Sequence, residues 1–312
     1  MQAGGDRLHA DTNEHPGAYE RAGANATPDT APDCEKRGYL EGDFRLFHLE
    51  DTAGEPIGYH YHEFDKIILF IKGSVEYIIE GRSYRLEPYD IVLVNHHDIH
   101  QPKINPAMPY ERIIVYLSPS FISSWSGEGY DLNACFLRAG EFGGGVLRIR
   151  GLKNSRMFQA IERLEEACRQ NGYAEDLYRR LLFLEFMVHL NRAALNRHVE
   201  YVRPQPHNQK VLEIMEYIHS HLTGDISVDL LAEHFFISRY HMMRLFRQET
   251  GYTIGGYLNE KRLLLARELL AQGVPLTRLA FDCGFKNYPA FLRAWKKAFG
   301  TTPAAAKHAG IS

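Results

Sequence analysis

The segment 235–300 of this 312-residue chain carries one pattern twice. Aligning "FFISRYHMMRLFRQETG" with "CGFKNYPAFLRAWKKAFG" pairs Phe236 with Phe285 and Arg244 with Arg293, each 49 positions apart. The stretch just upstream repeats at 48, so the second copy contains one extra turn residue. A period near 49 that holds over about 25 residues indicates two copies of one supersecondary unit.

Each copy predicts a short helix, a tight turn and a second helix, capped by Ser238 in the first unit and by Asn287 in the second. Residues three and four positions apart share a helix face, so each second helix has an inner and an outer face. The inner residues are Met242, Leu245 and Phe246, then Phe291, Ala294 and Trp295. The outer residues are Tyr240, Met243, Arg244 and Arg247, then Pro289, Leu292, Arg293 and Lys296.

The outer faces predict contact with double-stranded DNA. A helix fits the major groove, where arginine forms bidentate hydrogen bonds with guanine and apolar groups contact the thymine methyl. Flanking basic side chains, hydroxyls and helix N-termini bind phosphates. An ordinary solvent-facing helix surface is the alternative, but an outward arginine at the same place in both copies favours DNA. The long helix 254–272 is expected to hold the two units apart along the duplex.

Charge is distributed unevenly along the chain, although its formal net charge is only −3. Residues 207–312 contain 13 Lys and Arg against 9 Asp and Glu, whereas the rest contains 23 against 30. A basic module beside an acidic one indicates that the C-terminal part meets a polyanion. No apolar run approaches the roughly 18 residues that span a bilayer, and the N-terminus lacks the apolar core of a secretion signal. We therefore expect a cytoplasmic protein without a membrane partner.

The stretches "LAEHFFISRYHMMRLFRQETGYTIGGYLNEKRLLLARELL" and "LTRLAFDCGFKNYPAFLRAWKKAFGTTP" resemble the DNA-binding domain of the AraC/XylS family of transcription regulators. The resemblance covers residues 208–308 and assigns 208–312 to an all-α domain. It implies seven helices and two helix-turn-helix units. The base-contacting positions that it implies are Tyr240, Met243 and Arg244, then Tyr288, Pro289, Leu292 and Arg293.

The N-terminal two thirds predicts a β domain followed by helices, which makes the whole chain a multidomain α+β protein. Residues 1–33 contain few large apolar groups and indicate a mobile arm. Short β-rich runs separated by turn residues indicate an antiparallel sandwich or barrel within 34–150. The segment 151–201 predicts two amphipathic helices, and the prolines of 202–207 indicate an interdomain linker, because they exclude helix and central strand.

The second of these helices has an apolar stripe at near-helical spacing. Its residues are Leu177, Leu181, Leu184, Val188 and Leu195. Such a stripe is expected to pair with a second subunit, although the barrel of the same chain could also cover it. The resemblance favours a homodimer.

The stretch "GEPIGYHYHEFDKIILFIKG" is similar to the first motif of the cupin barrels that serve as sugar sensors in such regulators. Gly54, His60, His62 and Gly73 fall in register, but the position of the glutamate ligand is taken by Lys66, or by Ile67 if the longer spacing of the motif applies. The usual fourth ligand, a histidine, aligns with Val92. Two histidines seldom hold a metal and a lysine opposes one, so the sequence predicts neither a metal nor another cofactor. The four cysteines form no CxxC pair and add no zinc or disulfide signature.

These histidines are either ordinary barrel-lining or surface residues with satisfied hydrogen bonds, or part of a sensory pocket. His60, His62, Lys66 and Tyr77 are expected to line a barrel interior that hydrogen-bonds a small polar molecule. His96, His97 and His100 are expected in a loop after a strand. In that loop His100 either closes the mouth of the barrel or is solvated.

Together these features predict a ligand-responsive transcription regulator that is not an enzyme. Its expected partners are a double-stranded DNA operator, a small effector such as a sugar, RNA polymerase and a second copy of the chain. The resemblance favours activation over repression. Two alternatives remain: a cupin-type metal-dependent isomerase or dioxygenase fused to a DNA-binding module, and a constitutive DNA-binding protein whose barrel is structural.

Overall fold

The computed structural model of the chain describes residues 35–36, 38–51, 57–141, 145–170, 172–196, 199–206 and 208–308. The predicted arm at 1–33, Gly54 of the cupin-like motif and the last four residues lie outside these ranges.

The N-terminal domain is built from two six-stranded sheets, ordered β1-β3-β8-β5-β6-β12 and β11-β10-β7-β4-β9-β2. Among the described strands, all pairs are antiparallel except β1 with β3. The strands are β1 (Glu35–Lys36), β2 (Phe44–Asp51), β3 (His60–Tyr61), β4 (Asp65–Lys72), β5 (Val75–Ile79), β6 (Arg82–Arg85), β7 (Ile91–Val94), β8 (His100–Ile104), β9 (Tyr110–Leu117), β10 (Val146–Arg148), β11 (Glu200–Tyr201) and β12 (Gln205–Pro206).

Alternate residues of β4 pack on opposite faces of the second sheet, as the period of a strand requires. Ile68 and Phe70 lie in a core between the two sheets. Ile67 and Leu69 lie in a second core, between the same sheet and the helices that cover it. Burial on both faces explains why this strand reads as a continuous apolar run and not as an alternating one.

Four of the described helices contribute to this second core, between the sheet and the helices that cover it. They are α1 (Pro119–Ser123), α2 (Ala134–Glu141), α3 (Arg156–Arg169) and α4 (Glu175–Ala194). The predicted pair at 153–170 and 175–197 is confirmed as α3 and α4, which pack against each other. The Gly-rich stretch 121–150, which gave no clear sequence signal, contains α2 and β10.

The residues around the predicted linker are bound to the barrel on both sides. β11 pairs with β10 in one sheet, and β12 pairs with β6 in the other, so the chain crosses between the sheets here. Pro206 is compatible with a strand because β12 is the edge of its sheet. The domain boundary at 202–207 stays a prediction.

Residues 208–308 contain seven helices, the number that the family resemblance implies. They are α5 (Gln209–Ser220), α6 (Val228–His234), α7 (Arg239–Thr250), α8 (Ile254–Ala271), α9 (Leu276–Asp282), α10 (Tyr288–Phe299) and α11 (Pro303–His308). Both predicted caps are confirmed. Ser238 Oγ accepts a hydrogen bond from His241 N (3.3 Å), and Asn287 Oδ1 accepts one from Ala290 N (2.9 Å). Among the described helices, none is long and apolar enough to cross a membrane.

α8 joins two helical clusters, each built around one helix-turn-helix unit. Its first turns pack with α5, α6 and α7, where Met242 and Phe246 are fully buried. Its second half packs with α9, α10 and α11, where Phe291 and Trp295 are buried. The predicted inner faces of both units are therefore confirmed. At 1.5 Å per residue, the 18 residues of α8 span about 27 Å between the clusters.

Backbone hydrogen bonds identify the equivalent turn residues of the two units. Ile237 N donates to Ala232 O (3.1 Å), and Phe285 N donates to Ala280 O (2.9 Å). The donor and the acceptor of the second bond each lie 48 positions after those of the first. The offset of 48 between the first helices of the two units therefore continues through the turn. The extra residue of the second unit therefore follows Phe285 and is Lys286.

This register makes the predicted pairing of Phe236 with Phe285 wrong. Phe236 corresponds to Gly284, and both adopt a left-handed backbone, with φ of 53° and 89°. Phe285 is buried, whereas the side chain of Phe236 is 95% exposed. Pairing the two copies by residue type gave the wrong match because both copies have a phenylalanine next to the turn.

We expect Gly284→Ala to destabilise the protein more than Gly273→Ala. Both glycines have positive φ, which costs an L-residue about 1–2 kcal/mol. A Cβ at Gly284 would also lie 2.8 Å from Leu222 O and 2.9 Å from Arg262 Nε, which adds roughly 1–3 kcal/mol of overpacking. At Gly273 nothing lies within 4 Å of the added carbon. Chemical denaturation of both variants measures the difference, and equal destabilisation would contradict the close approach.

Candidate functional site

The outer face of α7 is open to solvent at most of its predicted positions. Tyr240, Met243 and Arg244 are exposed, as is the cap Ser238. Arg247 differs from the prediction because it is half-buried. Three of the four predicted outer residues can therefore reach a groove without rearrangement of the helix.

α10 presents a matching face. Tyr288, Pro289, Arg293 and Lys296 are exposed together with the cap Asn287, and Leu292 is half-buried. None of the ion pairs among the described residues engages Arg244 or Arg293, whereas neighbouring cations such as Arg239 and Lys286 pair with aspartates. The two equivalent guanidinium groups are thus available for an external acceptor.

A second site lies within the barrel, where the structure brings the five predicted effector residues together. His60, His62, Lys66, Tyr77 and His100 are all buried. The ring centres of His60 and His100 are 4.2 Å apart, and that of His62 is 5.0 Å from the first and 4.9 Å from the second. Tyr77 stacks on His100 at 6.0 Å. Lys66 shares the inner face of β4 with Ile68, since the two are two positions apart.

Backbone carbonyls orient two of the three imidazoles. The Nδ1 atoms of His60 and His100 donate to Gly58 O (2.9 Å) and Asp98 O (2.8 Å). Burial lowers the pKa of His100 well below its usual value, and the nearby His60, His62 and Lys66 lower it further. His100 is therefore a neutral imidazole that is protonated on Nδ1.

One expectation about this cluster is wrong. His100 does not lie in a solvated loop, because it begins β8 and pairs directly with His60 on β3. Val92 is the residue that aligns with the fourth cupin ligand. It packs in the apolar core between the sheets, whereas His100 has a donor atom within 4.8 Å of those of His60 and His62. His96 and His97 do precede β8, but His97 is buried and lies 3.7 Å from Glu260 of α8.

The junction between the barrel and the helical domain contains a polar cluster that the sequence did not indicate. Glu80, in the turn between β5 and β6, accepts hydrogen bonds from Tyr257 Oη (2.8 Å) and Lys261 Nζ (2.9 Å) on α8. The same carboxylate accepts a hydrogen bond from Ile99 N (2.8 Å), the residue before His100. One side chain thus connects the histidine cluster with the DNA-binding domain.

Electrostatics reinforce this junction. Lys261 is largely buried, which by itself disfavours its charge, but Glu80 and Asp98 outweigh burial and raise its pKa. Burial and the charge of Glu80 raise the pKa of Asp98 to about 6.

A cavity of about 500 Å³ opens beside these groups. Arg82 and Glu216 form a further ion pair across the junction (2.9 Å), which is more exposed.

Comparison with known proteins agrees with this architecture. A model of the AraC-like ligand binding domain matches residues 46–187, and a helix-turn-helix domain model matches residues 231–309. Together they match more than half of the chain. The chain belongs to the AraC family of transcription regulators. It combines a ligand-binding barrel with a DNA-binding domain.

The HTH-type transcriptional activator RhaS of Escherichia coli is 23% identical to this AraC-family chain over 248 residues, which are 78% of the chain and 85% of RhaS. Among solved structures, the C-terminal domain of the response regulator AraT from Geobacillus stearothermophilus is 27% identical, covering 33% of this chain and 86% of its own, with a TM-score of 0.32. ToxT from Vibrio cholerae is 14% identical, covering 86% and 98%, with a TM-score of 0.33. The family assignment rests on the domain models and RhaS.

We expect Arg244→Ala and Arg293→Ala each to weaken specific operator binding by about 1–3 kcal/mol, the usual cost of losing a bidentate base contact. Arg169→Ala, which removes the same charge from an exposed site on α3, is the matched control. The measurement is a binding titration against DNA selected by the wild-type protein and against scrambled DNA. Unchanged discrimination between the two DNAs in both variants would contradict the assignment.

Proposed function

We propose that this AraC-family protein is a transcription activator that binds a small polar molecule, of which a sugar is the leading candidate class, inside its barrel. The bound molecule contacts the buried cluster formed by His60, His62, Lys66, Tyr77 and His100. The protein works in the cytoplasm as a homodimer, contacts RNA polymerase and catalyses no reaction. The observation that carries the proposal is the convergence of all five polar side chains in one enclosed region of the ligand-binding domain.

Five buried polar side chains are an unusual filling for a barrel core, because polar groups need hydrogen-bond partners there and apolar groups do not. Apolar residues would fill the same volume more favourably. A small molecule with several hydroxyls or an acidic group supplies matching donors and acceptors. The polar interior therefore supports a hydrogen-bonding ligand and argues against a purely structural barrel.

Glu80 provides a route from this pocket to the DNA. A ligand that shifts His100 also shifts Asp98 and Ile99, which precede it on the chain, and Ile99 N is bonded to Glu80. Glu80 in turn holds Tyr257 and Lys261 on α8, the helix that joins both helix-turn-helix units. The ligand regulates DNA binding only if it favours one arrangement of this junction over another.

Dimer formation is supported by the solvent side of α4. Leu177, Leu181 and Leu195 are exposed there, and Tyr178 is exposed beside them. The opposite face of the same helix is already buried against the barrel. Leu184 of the predicted stripe packs against its own chain, whereas the other four residues are not covered by the described residues; they are Leu177, Leu181, Val188 and Leu195. A second copy of α4 would bury these four.

The pocket and the route are tested together by a thermal-shift screen of sugars, sugar acids and polyols on the full-length protein. We expect at least one compound to raise the melting temperature and to change operator affinity by roughly 5- to 150-fold, the usual range of allosteric coupling. Glu80→Gln should still bind that compound but lose most of its effect on DNA. If no compound raises the melting temperature, the proposed pocket is wrong.

Glu216→Gln is the matched control for Glu80→Gln. It also removes a charge that crosses the junction, but its partner Arg82 and the carboxylate itself are partly solvated. Exposed pairs contribute little, so coupling should stay near the wild-type value. Equal loss of coupling in both variants would assign the effect to general charge at the junction and not to Glu80.

The dimer is tested by Leu181→Glu, which places a charge in the centre of the stripe. Light scattering of the wild type should give the mass of two chains, and the variant should give the mass of one. Leu137→Glu on α2 is the control, because Leu137 is 58% exposed and Leu181 is 55% exposed. A monomeric wild type, or a dimer that survives Leu181→Glu, would contradict the interface.

A further inference from the structure

We propose that His60, His62 and His100 form a binding site for a divalent transition-metal ion, with zinc, cobalt, iron and nickel as the suitable class. The proposal goes beyond the sensing of an organic molecule. It also departs from the expectation from sequence that the protein needs no metal. His60 on β3 and His62 just after it were too few for a metal site, and the pairing of β8 with β3 supplies the third histidine.

The donor atoms are close enough to share one ion. One imidazole nitrogen from each residue lies within 4.8 Å of one from each of the other two. Nitrogens bound to zinc at about 2.0–2.1 Å in a tetrahedral site are about 3.4 Å apart. Side-chain rotations that shorten each separation by up to about 1.4 Å therefore complete the coordination.

The protonation states also suit a metal. A histidine whose Nδ1 donates to a carbonyl keeps its proton there and presents an unprotonated Nε2. His60 and His100 are both held in this way, by Gly58 O and Asp98 O. The Nε2 of His100 is buried and has no hydrogen-bond partner among the described residues. Such carbonyl contacts commonly orient metal-bound histidines and make them more basic ligands.

The ligand set differs from that of a four-ligand cupin site. Lys66 stands where the motif has its glutamate, so the metal has three neutral ligands and no protein carboxylate. Three imidazoles leave a fourth position open, as catalytic and ligand-binding zinc sites do. The cation of Lys66 opposes a bare metal ion but favours an anionic fourth ligand, such as hydroxide or the acidic group of an effector.

The test is direct binding of Zn²⁺ to the full-length protein after treatment with a chelator. We expect one zinc per chain, a rise in melting temperature that the chelator reverses, and at least a tenfold loss of affinity in each of His60→Ala, His62→Ala and His100→Ala. His219→Ala, which changes an exposed histidine of α5, should bind like the wild type. Absence of stoichiometric zinc in the wild type would overturn the site.

Two further measurements keep the proposal testable if an alanine variant fails to fold. Co²⁺ bound to the wild type should give the visible absorption bands of a low-symmetry, nitrogen-ligated ion, and a spectrum like that of hydrated Co²⁺ would overturn the site.

Lys66→Met keeps the length of the side chain and removes the opposing charge, so zinc affinity should rise roughly tenfold or more. Unchanged or weaker affinity in this variant would contradict the position of the ion. None of these readouts uses DNA or an organic effector, so they are independent of the proposed function.

Discussion

Burial of β4 on both faces is the constraint on which the barrel and its site depend. The inner face contributes to the core between the sheets, and the outer face binds the helices that carry the exposed stripe. A strand enclosed in this way cannot tolerate a polar residue without a reason, because desolvation of a charge is costly. Lys66 is nevertheless on the inner face, beside three histidines. The fold therefore sustains a polar cluster at the place where an apolar core would be most stabilising.

The helical domain uses a different constraint, the continuity of α8. Because one helix contributes apolar residues to both clusters, the two helix-turn-helix units are fixed to a common rod. Arg262 strengthens this connection, since its guanidinium donates to Leu222 O (2.8 Å) and Gly224 O (2.6 Å) of the α5–α6 loop. Movement of α8 against the barrel would therefore move α7 and α10 together. A single contact at the junction can then influence the whole DNA-binding surface.

The features predicted correctly from sequence depend on local periodicity. The caps Ser238 and Asn287, the inner faces of α7 and α10 and the course of α3 and α4 follow from spacings of a few residues. His100 was misjudged because its role depends on which strand pairs with β3, and strand register is set by tertiary packing. Glu80 was missed because its partner Tyr257 lies 177 positions away. No local pattern distinguishes a carboxylate that joins two domains from one in an ordinary hairpin turn.

The strength of the junction suits a switch between two arrangements. Breaking a buried ion pair by removing one partner typically costs about 3–5 kcal/mol, whereas allosteric coupling energies are typically about 1–3 kcal/mol. The side chains of Lys261 and Glu80 are only 9% and 18% exposed, so the pair lies near the first range, and weakening it without breaking it is enough to supply a coupling energy in the second. A much stronger contact would hold the domains in one arrangement whatever the barrel bound, and a fully exposed one would transmit nothing. Because Ile99 N donates to the same carboxylate, a change at the His100 strand can weaken the pair.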